Sequence, residues 1–112
     1  MEKVALVTGS SSGIGFETSL ALARNGFHTF ATMRDLSKDE KIKQVIEKED
    51  LSIEILELDV DNEESVNQAI KTISEKKGRI DVLVNNAGYG MWGTVEDVSI
   101  DEFKKQFETN FF

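Results

Sequence analysis

The 112-residue chain has no cysteine and no proline, and it holds a single histidine, tryptophan and tyrosine. Without cysteine there is no disulfide framework and no thiolate metal site, so no metal centre of that kind is expected. The same absence is compatible with a cytoplasmic setting, which is the expected location. The lack of proline excludes no function and is compatible with regular structure. Basic residues are the minority: 13 Lys and Arg against 21 Asp and Glu leave a net charge of −8. That surface argues against nonspecific binding to nucleic acid or to an anionic membrane. No apolar run approaches the ~20 residues of a membrane-spanning helix. The first apolar segment opens at Lys3, so neither a signal nor a transit peptide is expected. What remains, 39% hydrophobic and 30% charged residues, reads as one ordinary globular domain able to bury a core.

Short apolar runs alternate with helical patterns along the whole chain. "KVALVT" (3–8) is β-branched and apolar on both faces, as a buried parallel strand should be. A helix is expected from about Ile14 to Asn25, ended by Gly26. "HTFATM" (28–33) reads as a second strand. Ser37 and Glu40 have the spacing of a capping box before a helix whose Ile42, Val45 and Ile46 share one face. "IEILELD" (53–59) alternates strictly, so this strand is expected to be partly exposed. Asp61 and Glu64 suggest a cap for the next helix, which shows Val66, Ala69, Ile70 and Ile73, then Lys76, Lys77 and Gly78. "IDVLVNNA" (80–87) is a fourth strand running into a turn. Ser99 and Glu102 cap a last helix, with Phe103, Phe107 and Phe111 on one stripe and Val98 against Phe103 as a staple. The order β-α-β-α-β-α-β-loop-α implies a parallel sheet with helices on both faces.

The stretch "VTGSSSGIG" (7–15) places three glycines and three serines where the first strand gives way to a helix. Exposed amides at a helix start, with the positive end of its dipole, hold an anion. Gly9 permits the sharp turn, Gly13 lets a phosphate approach the backbone, and Gly15 lets the helix pack close to the strand. The spacing G-x-x-x-G-x-G differs from G-x-G-x-x-G, and no G-K-[ST] follows, so this is not a Walker loop. A tight connection with no ligand is the plain alternative. The position after the first strand, opening a helix, is the context that phosphate binding needs.

"TGSSSGIG" (8–15) together with "NNAG" (85–88) resembles the short-chain dehydrogenase/reductase family. Asp59-Val60 and Asn110 fall where that family has further signature residues. The resemblance covers the whole chain, and members usually run to roughly twice this length or more. It implies a truncated, doubly wound Rossmann-type α/β sheet of about four strands, order 3-2-1-4, with helices on both faces. On this reading residues 1–112 are the N-terminal, dinucleotide-binding part of one domain whose catalytic half is absent. The cofactor-binding loop would be Gly9, Ser11, Ser12, Gly13, Ile14 and Gly15.

An acid at the end of the second strand would bind a ribose 2′-OH and favour NAD. Aligned on the family, that place holds Met33, which cannot accept such a bond. Arg34 follows, and its guanidinium could pair with a 2′-phosphate in a bidentate fashion; Ser12 could add a hydroxyl donor. "ATMRD" resembles members that prefer NADP(H), so NADP(H) is the expected cofactor, with NAD(H) possible. Two rival readings stand beside this: Arg34 as a solvated charge, and Asp35 as the ribose acid set two places late. The resemblance also assigns Asp59 and Val60 to the adenine, although Asp59 could equally cap the next helix. It places Asn86, Ala87 and Gly88 on the nicotinamide side, where Asn85 and Gly88 could instead serve only the turn.

Hydride transfer to a carbonyl needs a proton donor. In the family this is a Tyr with a Lys four residues later, a Ser polarises the substrate oxygen, and an Asn holds the Lys through a water. Only the Asn has a match here, Asn110. The one tyrosine is Tyr89, and four residues on stands Gly93. His28 opens the second strand, away from the loop, and reads as structural. Met91 and Trp92 lie where the family's substrate cleft begins, for packing or for contact. No turnover is therefore expected from this polypeptide alone. The complete enzyme would act on a small-molecule carbonyl or secondary alcohol.

An open edge at "DVLV" (81–84) and the phenylalanines of the last helix point to a homo-oligomer through either surface. Three rivals to the oxidoreductase reading remain: a non-catalytic dinucleotide-binding module, an assembly fragment with a vacant loop, and an epimerase or dehydratase on a related extended fold. The NNAG stretch disfavours the last.

Overall fold

The computed structural model describes residues 2–11, 13–85 and 94–96, with the backbone alone described for Asn85 and residues 94–96. Its elements are β1 (Val4–Val7), α1 (Gly13–Arg24), β2 (His28–Met33), a 3-10 turn (Leu36–Lys38), α2 (Glu40–Glu49), β3 (Ile53–Glu57), α3 (Glu63–Lys76), β4 (Val82–Asn85) and β5 (Thr94–Glu96). The sheet order is β3-β2-β1-β4-β5, and the first four strands in that row are parallel. This is the expected Rossmann-type arrangement, 3-2-1-4, with helices on both faces.

The pleat of the sheet sorts its side chains into two cores. Val4, Leu6, Phe30 and Leu83 turn to one face and meet Val66, Ala69, Ile70 and Ile73 of α3, with Leu58 and Ile80 closing the rim. Ala31, Met33 and Ile53 turn to the other, against Leu20 and Ala23 of α1 and Ile42 of α2. β1 is buried at all four positions, which is why it reads as apolar on both faces. β3 is the outer parallel strand and is only half covered, in keeping with its alternating sequence.

Charged clasps tie the strand ends opposite the glycine loop. Asp81 Oδ2 accepts the Val4 amide at 2.7 Å, and the Asp81 amide donates to Val4 O at 2.7 Å. Arg79 holds the same carboxylate through Nε at 2.9 Å and through Nη2. Near the start of β2, Glu54 receives Lys76 Nζ at 2.6 Å on Oε1 and faces His28 Nε2 at 3.2 Å on Oε2. His28 also packs edge-on against Phe30, the ring centroids 5.1 Å apart. The structural role expected of His28 fits this place, at the end of β2 remote from the loop.

Three sequence expectations need correction. Ser37 does not cap α2: its amide and hydroxyl both donate to Asp35 Oδ1, so the chain makes a 3-10 turn before α2 begins at Glu40. The cap of α3 is Asn62, whose side chain accepts the Ser65 amide at 3.1 Å; Asp61 lies one residue too early, and its own amide is taken by Asp59 Oδ1 at 3.0 Å. The β4 edge is not open along Leu83–Asn85, because β5 pairs there antiparallel, Leu83 with Glu96, Val84 with Val95 and Asn85 with Thr94. Unpaired amides and carbonyls of an apolar strand take the nearest extended segment, and the β-branched Thr94 and Val95 supply one. The expected last helix with Phe103, Phe107 and Phe111 lies outside the described residues.

Candidate functional site

Strand order reverses direction at β1, whose neighbours are β2 on one side and β4 on the other. Ligands of open α/β sheets bind beyond the carboxyl ends of the strands at such a switch point. The segment that leaves β1 there is the glycine-serine loop.

This loop is braced to both neighbouring strands. The Thr8 amide donates to Val84 O at 3.0 Å, and the Ser10 amide donates to Thr32 O at 2.9 Å. Beneath it lies a set of buried hydroxyls, Thr8, Ser10, Ser19 and Thr32. Ser10 Oγ and Thr32 Oγ1 each donate to Val7 O at 3.0 Å. Ser19 Oγ stands 2.8 Å from Gly15 O and 3.1 Å from Ser10 Oγ, joining the first turn of α1 to the loop. No buried side-chain polar atom among the described residues lacks a partner. A fully satisfied network of this kind holds the backbone rigid.

The loop turns at Gly9 (φ 65°) and again at Gly13 (φ 62°), both in the left-handed region. Gly13 is the first residue of α1, and a Cβ there would meet no heavy atom within 4 Å. Glycine is needed at Gly13 for its backbone angle, and the space in front of it is open. The first amides of α1 have no intrahelical acceptor and carry about +0.5 of an elementary charge at the helix start. No acidic residue stands in that turn to oppose an anion. Ile14 projects from it 59% exposed, an apolar side chain at the mouth of the turn. Gly15 is buried and Ser11 half-buried. The open space, the amides and the absent acid fit the pyrophosphate of a dinucleotide.

The other expected residues of the described chain lie at or just after the carboxyl ends of β2 and β3, on the same edge of the sheet as the loop. Met33 is 2% exposed and faces the α1–α2 core, so its side chain is turned away from any ribose. Arg34, next in the chain, is exposed and makes no hydrogen bond or ion pair among the described residues. Asp35 is committed to Ser37, at 3.0 Å from its amide and 2.7 Å from its hydroxyl. The Ser37 hydroxyl and amide hold that carboxyl below its usual range. Asp59 follows β3 and its Oδ1 accepts the Asp61 amide; Val60 is half-buried against the α3-side core. Asp59 thus shapes the turn before Asn62 and is not itself the cap. Ser12, Asn86, Ala87, Gly88 and Asn110 lie outside the described residues, as do Tyr89, Met91 and Trp92.

A sequence profile described as short chain dehydrogenase matches residues 3–112. The chain belongs to the short-chain dehydrogenase family. Among its relatives, a probable short-chain type dehydrogenase/reductase VdlC of Helicobacter pylori is 38% identical over 97% of this chain and 38% of its own length. An uncharacterized oxidoreductase, YusZ of Bacillus subtilis, is 42% identical over 99% of this chain and 40% of its own. Human retinol dehydrogenase 8 is 40% identical over 98% of this chain and 36% of its own. The chain therefore spans well under half the length of these relatives. Among solved structures, an actinorhodin polyketide ketoreductase variant with NADPH superposes with a TM-score of 0.72 at 31% identity, covering 78% of this chain and 33% of that one. Menthone neomenthol reductase from Mentha piperita gives 0.70 at 33% identity, over 79% and 32%.

Within this short-chain dehydrogenase frame, the hydroxyl braces are what sequence reasoning missed. Ser19 stands one helical turn beyond Gly15, a spacing that could have flagged it. Thr32 carried no signal, because its partner Val7 belongs to another strand. No helix among the described residues is long and apolar enough to cross a membrane.

Proposed function

We propose that this chain is the NADP(H)-binding portion of a short-chain oxidoreductase that reduces a carbonyl or oxidises a secondary alcohol of a small molecule. NAD(H) is the weaker alternative. The bound nicotinamide supplies or accepts the hydride; this chain's residues bind and orient the carrier.

In this reading the amides at Gly13, Ile14 and Gly15 receive the pyrophosphate. Ser11 and Ser12 add hydroxyls, and Gly9 sets the turn. Asp59 and Val60 border the adenine, while Asn86, Ala87 and Gly88 line the nicotinamide side and Asn110 serves the catalytic relay of the complete enzyme. A chain of net charge −8 repels a polyanion at long range, so local positive charge must overcome that field. The start of α1 provides part of it, and Arg34 provides the rest.

One observation carries the cofactor preference. The cation after β2 stands exposed and unpaired among the described residues, while the place of a ribose-binding acid holds Met33, turned into the core. A guanidinium there suits a 2′-phosphate and has nothing to offer a 2′-hydroxyl beyond one donor. One of the solved structures that resemble the chain is a ketoreductase with NADPH, which supports the same reading.

Titration of the chain with NADP+ and with NAD+ tests this, read by calorimetry and by amide shifts over residues 9–15. Tighter binding of NADP+, lost in Arg34→Ala, is expected. Tighter binding of NAD+, or unperturbed loop amides at saturation, defeats the reading. No NADPH oxidation is expected from the 112 residues alone with a panel of ketones and aldehydes, because Tyr89 is followed four places on by Gly93. Self-association through the last helix belongs to the same proposal, and a concentration-independent monomer in light scattering counts against it.

A further inference from the structure

We propose that Ser37 is a positioning residue for cofactor choice: by clasping the Asp35 carboxylate it keeps that acid off Arg34 and leaves the guanidinium available to a 2′-phosphate. The inference rests on the NADP(H) reading above and names the device that would enforce it.

Arg34 and Asp35 are chain neighbours at the exposed end of β2. An acid beside a guanidinium competes with an incoming phosphate when its side chain is free to swing across. Here Asp35 is extended (φ −124°, ψ 107°), and successive side chains of an extended segment project to opposite sides. Its Oδ1 then takes both donors of Ser37, the amide at 3.0 Å and the hydroxyl at 2.7 Å. The turn behind them is closed by the Lys38 amide on Asp35 O at 3.1 Å and the Asp39 amide on Leu36 O at 3.2 Å. Arg34, beside this clasp, has no partner among the described residues. The lowered pKa of Asp35 is consistent with the clasp, since the Ser37 bonds are its largest causes and the Arg34 charge its smallest.

Removing the hydroxyl leaves the carboxylate on one backbone donor and frees it to swing toward Arg34. A surface pair of that kind competes with the 2′-phosphate by about 3-fold in affinity. NAD+ carries no 2′-anion for Arg34 to pair with, so its affinity stays. A merely structural role for Ser37 would weaken both dinucleotides alike.

The test measures dissociation constants of NADP+ and NAD+ for the wild-type chain, Ser37→Ala, Ser37→Thr, Asp35→Asn and the double variant Asp35→Asn/Ser37→Ala. Ser37→Ala should lower the preference for NADP+ by about 3-fold or more. Ser37→Thr should keep it, and Ser37→Ala should have no effect on it in the Asp35→Asn background. An unchanged ratio in Ser37→Ala, an equal loss for both dinucleotides, or the same loss without the Asp35 charge overturns the proposal. Arg34→Ala separates the two levels. If it leaves the ratio alone, the cofactor reading falls; if it collapses the ratio while Ser37→Ala does not, the clasp alone falls. A readout without cofactor stands behind both: the 15N signal of the Arg34 side chain should show slowed guanidinium motion in Ser37→Ala and free motion in the wild type. Equal motion in the two proteins rejects the clasp whether or not a dinucleotide binds.

Discussion

Asp81 holds Val4 by both of its backbone partners, giving its amide to Val4 O and receiving the Val4 amide on Oδ2, each at 2.7 Å. Val4 opens β1 and Asp81 directly precedes β4, the central pair of the sheet, and the pairing leads into the register that carries Val7 and Val84 to the loop. Asp81→Ala leaves the Val4 amide without its side-chain acceptor and Arg79 without its carboxylate. A hydrogen bond to a charged group is worth about 2 kcal/mol. The urea midpoint should fall accordingly with an unchanged slope; a midpoint equal to wild type would show the clasp to be idle.

Acid should loosen the same clasp. The Arg79 guanidinium, opposed by partial burial and aided by the Val4 amide, holds the Asp81 carboxyl below its ordinary value. Burial pushes the Glu54 carboxyl up, but its bonds from Lys76 and His28 outweigh that and leave it lowered too. A folded value below the unfolded one means the unfolded chain binds protons first as pH falls. The stabilisation is therefore complete above the ordinary carboxylate values of about 3.9 and 4.3, and it is lost as pH drops through the lower folded values. Stability measured from pH 6 down to pH 2 should decline across that window, less steeply in Asp81→Asn. Identical pH profiles for the two proteins would remove Asp81 from the account.

Left-handed backbone gives a paired prediction. Gly13→Ala puts a Cβ on φ 62° at the start of α1, where space is open but the angle is costly, by about 1 kcal/mol. Asp50 ends α2 at φ 52° and is the one residue other than glycine with positive φ among the described residues. Asp50→Gly should therefore stabilise by roughly 0.5 kcal/mol. Thermal denaturation of both variants checks the signs. Dinucleotide affinity should fall in Gly13→Ala and stay level in Asp50→Gly, which lies at the other end of its helix from the loop.

Beneath the loop, Ser19→Ala removes a buried hydroxyl and leaves Ser10 Oγ without one neighbour. The cost should be about 1–3 kcal/mol, as for a buried polar group that loses its partner. Hydrogen exchange should quicken at residues 10–15 more than in β2. Equal protection in both proteins would mean that the hydroxyl network does not hold the loop.

Much of the frame could be read along the chain. The glycines and serines of 8–15 announce their turn because only a local backbone angle and a bare amide are at stake. Strands such as Val4–Val7 show themselves by β-branched residues, and α3 by the spacing of Val66, Ala69, Ile70 and Ile73, since a period of two or 3.6 is a property of the segment alone. Arg34 after Met33 was visible for the same reason. The caps were harder, because Asp35 and Ser37, or Asp61 and Asn62, compete for amides within reach of each other, and one residue of offset decides the winner. Thr32 on Val7 O, Asp81 on Val4, and β5 on the β4 edge could not be read at all. Each joins groups far apart in the chain, and whether a hydroxyl, a carboxylate or an extended segment finds an unpaired backbone atom depends on which strands the packed cores bring side by side. Local angles and periods belong to the segment that carries them; the partners of its polar groups belong to the assembled sheet.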